Sequence, residues 1–302
     1  MQVRTELSAD FGPKLSWSLA PWLAKRDLDP VRFSVIENNF SKDTSLELPL
    51  EVFEGNSKIL KNLLGNPNQS FHLQGRALSI ASMDELDHGY LEKLKKIASL
   101  YQVRSFGDFL AWTGVGGKHL HALMPAVLNS SMIEHLREKI LRVQDVLKRP
   151  LVLENPLSPV AFKANEMNES VFLNELHKET NASFALNLST FYLNSVSQEF
   201  DPEARLQELN WRAISQLKIS ILPAQLKIQS LAGEAAFDLS VWTLLSFALK
   251  AAAKQSHQIQ TVFIRVDDAE CSFDEMVKFQ QTFKLFTKEL FRGNKSAAGI
   301  SP

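Results

Sequence analysis

Glu154 closes a short apolar run, Leu151-Val152-Leu153, and is followed by Asn155 and Pro156. A carboxylate at the carboxyl end of a buried parallel strand points into a barrel mouth, where it can ligate a metal or move a proton. The other strand ends offer few partners for either task. In order they carry Glu37-Asn38-Asn39, Gln74, Asp108-Phe109, Asn187, the segment from Ile221 to Gln225, and Arg265. A metal site needs three or four converging His or carboxylate side chains. The 7 histidines lie elsewhere. His88, His135 and His177 fall on helical segments, His257 precedes the last strand, and His72 sits within a strand as a core residue. His119 and His121, two apart after a glycine turn, form at most a two-ligand clip. For nucleophilic chemistry, the single Cys271 has no His near it in sequence, and no GxSxG elbow occurs. Asp267 and Asp268 read as a solvated loop or helix cap.

The elements that must position these residues alternate. Strands are expected at 14–20, 32–38, 70–76, 104–111, 151–155, 184–190, 216–222 and 261–266. Several are near-continuous apolar runs, as in parallel strands covered on both faces. Helices are expected at 84–101, 131–148, 168–180, 201–214, 239–256 and 272–291. Ile133, Leu136, Ile140, Val143 and Leu147 make one apolar stripe, and Leu86, Tyr90, Leu94, Ile97 and Leu100 another. Ser82 before Met83-Asp84-Glu85 and Asp201 before Pro202 read as helix caps. The TGVGG loop, with Gly114, Gly116 and Gly117, lacks the Lys-Ser/Thr of a phosphate loop and reads as a tight turn with positive φ. Eight strand–helix units predict an α/β fold, a (β/α)8 TIM barrel, as a single domain over 1–292 with a polar, disordered tail at 293–302. The rival open doubly wound sheet calls for a GxGxxG after its first strand, and there is none.

Composition narrows the function classes. A net charge of −1 gives no bulk field for nucleic acid or anionic lipid. One cysteine excludes an internal disulfide and any thiolate-based metal cluster, and a lone free thiol suits a reducing compartment. The first residues, MQVRTELSADFG, lack the apolar stretch of a secretory signal, and WTLLSFALKAAA at 242–253 is too short to span a bilayer. A cytoplasmic location is expected.

LAWTGVGG at 110–117, a helix ending RVQDVLKRP and then LVLENP at 151–156 resemble a block of the multinuclear non-haem iron-dependent oxidative enzymes, the bacterial family that includes the methanobactin-biosynthesis oxidase. FALNLSTFYLNSV at 184–196 leading to FDP at 200–202 continues the similarity. SVIENNF (34–40), GRALSIAS (75–82), DLSVW (238–242) and FIRVDD (263–268) match more weakly, so that most of 14–280 is covered. The resemblance implies a TIM barrel that binds two or three irons at its strand ends and oxidises cysteine-containing precursor peptides beside a leader-binding protein. Laid on this chain, the family's ligands fall on Ile36 and Asn38, Gln74, Phe109, Glu154, Asn187, Val196, the segment from Ile221 to Gln225, the segment from Ser230 to Ala232, and Arg265. Of these only Glu154 keeps the family's residue.

The resemblance therefore implies a catalytically degenerate member, a metal-free barrel with no cofactor that binds a precursor peptide or a partner oxidase or leader-binding protein in peptide natural-product biosynthesis. Its expected pocket comprises Asn38, Gln74, Phe109, Asn155, Asn187 and Gln225 around Glu154 and Arg265. Arg265 is expected to pair with Glu154 in place of metal charge. Two alternatives stay open. One is a metal-independent enzyme with Glu154 as base and Arg265 beside it. The other is an active metal-dependent oxidase with displaced ligands such as His119, His121 and Asp267 or Asp268.

Overall fold

The computed structural model describes residues 14–18, 46–50, 53, 71–101, 103–149, 151–222, 227, 234–257, 259, 261–266 and 273–296. Its strands are β1 (Lys14–Ser18), β2 (Leu46–Pro49), β3 (Phe71–Gln74), β4 (Val103–Phe109), β5 (Ala111–Val115), β6 (Lys118–Pro125), β7 (Leu151–Glu154), β8 (Ser183–Asn187), β9 (Ile214–Ile221) and β10 (Thr261–Val266). Eight of them pair in parallel in the order β1-β10-β9-β8-β7-β4-β3-β2 and close on themselves, while β5 and β6 form a separate antiparallel hairpin. The eight-stranded barrel expected from the alternation is present.

The described helices are α1 (His88–Leu100), α2 (Ser130–Leu147), α3 (Glu169–Thr180), α4 (Leu188–Ser197), α5 (Pro202–Gln207), α6 (Glu234–Lys254) and α7 (Phe273–Ser296). α2 shows why they form. Its buried residues are Ile133, Leu136, Ile140, Val143 and Leu147, a single face, and the Asn129 side chain caps it by accepting from Met132 N. The main core lies between this helical layer and the outward side chains of the strands, among them Leu48, Leu73, Leu153, Leu186, Ile219 and Ile264. Because strand side chains alternate, the residues between these leucines and isoleucines point to the barrel axis.

Several boundaries differ from the sequence expectation. The segment 32–38 lies outside the described residues, and the strand between β1 and β3 in the barrel is β2, whose Leu46 and Leu48 are buried. Its Leu-Glu-Leu alternation supplies the outward apolar face that the helical layer requires. The first described helix begins at His88 with Asp87 as cap, not behind Ser82. Ser82 is instead drawn to the hairpin, where its hydroxyl donates to Gly114 O at 2.8 Å. Asp84 accepts there from Gly116 N at 2.9 Å and Gly117 N at 3.2 Å. Gly116 and Gly117 have φ of 61° and 72°, the positive values expected of that turn. The helix expected at 201–214 breaks after α5, and a short 3-10 turn at Trp211–Ala213 leads into β9. The cap at Asp201 is present, its carboxylate accepting from Glu203 N and Ala204 N. α7 runs on to Ser296, into the stretch expected as a tail. Among the described residues no helix is long and apolar enough to cross a membrane.

Candidate functional site

The barrel interior is unusually polar. Side chains of β3, β4 and β9 make a first layer, where His72 Nδ1 lies 2.7 Å from Ser105 Oγ and Gln216 Nε2 lies 3.3 Å from both. Burial lowers the His72 pKa to about 3, with Arg104 and Lys218 adding to the effect, so the ring is neutral. It is the core histidine that its position within a strand predicted.

One layer nearer the carboxyl ends of the strands lies a charged cluster that sequence reasoning missed. Lys218, on β9, is 0% exposed, Glu47, on β2, is 2% exposed, and Glu154, on β7, is 1% exposed. Lys218 Nζ donates to Glu47 Oε1 at 2.6 Å and to Glu154 Oε2 at 2.9 Å, with Gln74 Oε1 at 3.4 Å. Arg265, on β10, donates from its guanidinium to Glu154 Oε1. Asn187 Nδ2 donates to the same oxygen at 3.1 Å and to Ser220 Oγ at 2.9 Å. Both oxygens of Glu154 are thus held by cations. Burial would raise the Glu154 pKa, but Arg265 and then Lys218, with hydrogen bonds from Lys218 and Asn187, outweigh it and hold the carboxyl at about 2.

The remaining expected residues distribute as follows. Phe109 packs against the guanidinium of Arg265, whose Cζ lies 5.1 Å from the ring centroid, and that of Arg76 at 5.9 Å. Gln74 is buried, and its Nε2 has no partner among the described residues. Asn155 does not touch the charges: its amide donates to Asn187 O and accepts from Asn187 N, tying β7 to β8. Asn187 also caps α4. Asn38, Gln225, Asp267, Asp268 and Cys271 lie outside the described residues. Val196 is half-buried on α4, and its side chain has no atom that could ligate a metal.

Three histidines away from the barrel axis have structural partners. His135 Nε2 lies 2.7 Å from Ser82 O, His177 Nδ1 2.7 Å from Ala182 O, and His257 Nε2 3.0 Å from Ile214 O. His119 and His121 stack on the exposed hairpin with centroids 5.8 Å apart. Among the described residues no group of three or more His, Cys, Asp or Glu side chains could hold a metal ion.

Beside the mouth, a cavity of about 510 Å³ opens between the loop leaving β7, the start of α3, helices α4 and α5 and the base of the hairpin. Phe162, Phe191 and Phe200 line it together with three charged residues, Glu166, Glu169 and Arg205. Glu166 is committed to Ser130, whose N and Oγ donate to it at 3.0 and 2.9 Å. Desolvation raises the Glu169 pKa to about 7, with Arg205 acting in the opposite sense. The folded protein therefore holds this proton more tightly than the unfolded chain, and stability falls as pH rises from about 4.5 to about 7. Glu169→Gln is expected to raise the melting temperature by roughly 2–4 °C at pH 8 and to change it little at pH 4. A variant melting below the wild type at pH 8 would contradict this placement.

Comparison with known proteins agrees with this architecture. An L-ribulose 3-epimerase structure superposes with a TM-score of 0.63 at 11% identity, covering 96% of this chain and 100% of that one. Endonuclease IV from Thermus thermophilus gives 0.55 at 13% identity, covering 92% and 100%. At these identities the likeness shows the fold alone. In sequence, a UPF0276 protein of Anaeromyxobacter sp. is 36% identical over 148 residues, 49% of this chain and 52% of that protein. A UPF0276 protein of Shewanella oneidensis is 30% identical over 151 residues, 50% and 53%. The chain spans about half the length of the curated relatives it matches. Residues 52–278, well over half of the chain, match the family described as RiPP precursor modification enzyme MbnB/TglH/ChrH, and the chain belongs to that family.

Proposed function

We propose that this protein is a catalytically degenerate member of its family, a metal-free barrel that binds a precursor peptide or a partner of the peptide-modifying machinery. The observation that carries the reading is the pairing of both Glu154 oxygens with Lys218 and Arg265. A metal ion needs carboxylate lone pairs, and here they are spent on an ammonium and a guanidinium. Those groups also bring positive charge to the place a cation would take. The donor set among the described residues therefore does not fit the iron centre that the resemblance implies. The alternative with Glu154 as a general base is disfavoured by the same contacts, because a carboxylate held at about 2 accepts protons poorly near neutral pH.

The test is elemental analysis of the untagged, full-length chain purified from iron-replete cells. Substoichiometric iron, manganese and zinc are expected, and stoichiometric iron would overturn the reading. A labelled synthetic peptide matching a precursor encoded beside this gene should bind saturably, with an affinity that chelators leave unchanged. Failure of every such peptide, and of every neighbouring-gene product, to bind would remove the binding role.

The double substitution Asn187→Asp with Gln74→His restores two of the residue types that the resemblance implies. It is still expected to purify without stoichiometric iron, because Lys218 and Arg265 remain on Glu154. Iron at one equivalent or more in this variant would sink the argument from the cations.

A further inference from the structure

The cavity beside the mouth holds two charges that the protein leaves without hydrogen-bond partners. Its other polar groups are committed. Asn194 donates to Pro156 O and accepts from Ser158 N, Gln198 Nε2 donates to Ser158 O, and Asn165 Oδ1 accepts from Leu128 N. Glu166 is bonded twice by Ser130. Glu169, at the start of α3, and Arg205, on α5, both line the space. Neither side chain makes a hydrogen bond or salt bridge among the described residues, although Arg205 is near enough to act on the Glu169 carboxyl. The Arg205 guanidinium lies over the Phe200 ring, with Cζ 5.0 Å from the centroid. Cation–π stacking uses the face of the guanidinium and leaves its in-plane N–H donors available. Phe200 in turn packs edge-on against Phe191 at 5.6 Å, so the two rings form one apolar wall.

Both side chains are half-buried, and a ligand that completes their hydrogen bonds offsets the cost of their partial burial. The charge pattern selects among ligands. A simple anion satisfies Arg205 but is repelled by Glu169, and a simple cation meets the reverse problem. A neutral apolar molecule leaves both unsatisfied. A molecule carrying ammonium and carboxylate close together, with an apolar group for the phenylalanines, answers all three walls. The cavity volume of about 510 Å³ lies within the usual range for small-molecule sites, roughly 300–1,000 Å³. We propose that this cavity binds a free α-amino acid with an apolar side chain, its ammonium against Glu169, its carboxylate against Arg205 and its side chain among Phe162, Phe191 and Phe200. The site is distinct from the Glu154 cluster and does not depend on whether the barrel axis is metal-free.

Isothermal titration of the full chain at pH 8 tests this, with L-phenylalanine, L-leucine and L-methionine as probes. N-acetyl-L-phenylalanine and L-phenylalaninamide each lack one of the two charges. At least one free amino acid should bind saturably, and each capped form should bind roughly 10-fold more weakly or worse. Glu169→Gln and Arg205→Gln should each weaken binding of the free amino acid by a similar factor while keeping the wild-type circular dichroism. No saturable binding of any free amino acid would overturn the proposal. So would capped forms that bind as well as free ones, which would mark a peptide-binding cavity instead. Folded variants that bind like the wild type would overturn it too. Should a variant fail to fold, the capped-ligand comparison on the wild type decides.

Discussion

Replacing Lys218 with methionine is expected to destabilise the barrel by about 3–5 kcal/mol, the range for removing one partner from a buried ion pair. Lys218 Nζ lies between Glu47 Oε1 at 2.6 Å and Glu154 Oε2 at 2.9 Å, and all three side chains are buried. Methionine keeps much of the volume and removes the charge. Glu47 and Glu154 then lose the buried ammonium that bridges them, and their mutual repulsion, eased at Glu154 by Arg265, favours proton uptake or opening of the layer. Denaturant unfolding of the wild type and Lys218→Met measures the loss. The companion Lys218→Met/Glu47→Gln should recover part of it, since the double change removes one of the two repelling charges. A loss under about 1 kcal/mol, the value of an exposed pair, would show that the cluster is solvated rather than buried.

Glu154→Gln is the second large effect, again about 3–5 kcal/mol, because it leaves Lys218 and Arg265 without the carboxylate that both contact. Lys218 keeps Glu47 as a partner, which limits its share of the loss. The pH dependence separates this from a simple packing defect. The Glu154 carboxyl is held below its ordinary 4.5, at about 2, in the folded protein. Its contribution is therefore fully present above pH 4.5 and is lost as the pH falls towards 2. The stability gap between wild type and Glu154→Gln should be constant from pH 5 to 7 and close progressively below about pH 4.5. Paired unfolding curves at pH 7 and pH 3 suffice to see it. A gap equally wide at pH 3 would mean that Glu154 ionisation is not what the variant removes.

Much of the architecture was legible because it rests on local pattern. The α2 face, the Asp201 cap and the glycine turn each follow from residue type and spacing over a few positions. The hairpin at 111–125 was harder, since its β6 strand is largely exposed and carries no continuous apolar run. β2 was harder still. Leu46-Glu47-Leu48 alternates correctly, but a four-residue strand offers too few positions to stand out against the longer stretch at 32–38.

For the site, the strand-end residues Glu154, Gln74, Phe109, Asn187 and Arg265 were found from order and resemblance. Lys218 was not, although a signal existed. Gln216, Lys218 and Ser220 alternate with Leu217, Ile219 and Ile221 on β9. In a barrel whose outer face is covered by helices, the polar members of such an alternation must point inward. A lysine in that parity is buried at the axis and needs an acid.

By itself the sequence determined the closed parallel barrel and the family, because periodicity and motif spacing are local properties, and the resemblance implied Phe, Gln, Asn and Arg at ligand positions. It also raised the pairing of Arg265 with Glu154, without locating the second cation. Only the tertiary structure decided that Lys218 and Glu47, 171 residues apart, meet beside Glu154. Strand order and register set which inward side chains share a layer, and closing the barrel is what brings the strands that carry Glu47, Glu154, Lys218 and Arg265 around one axis.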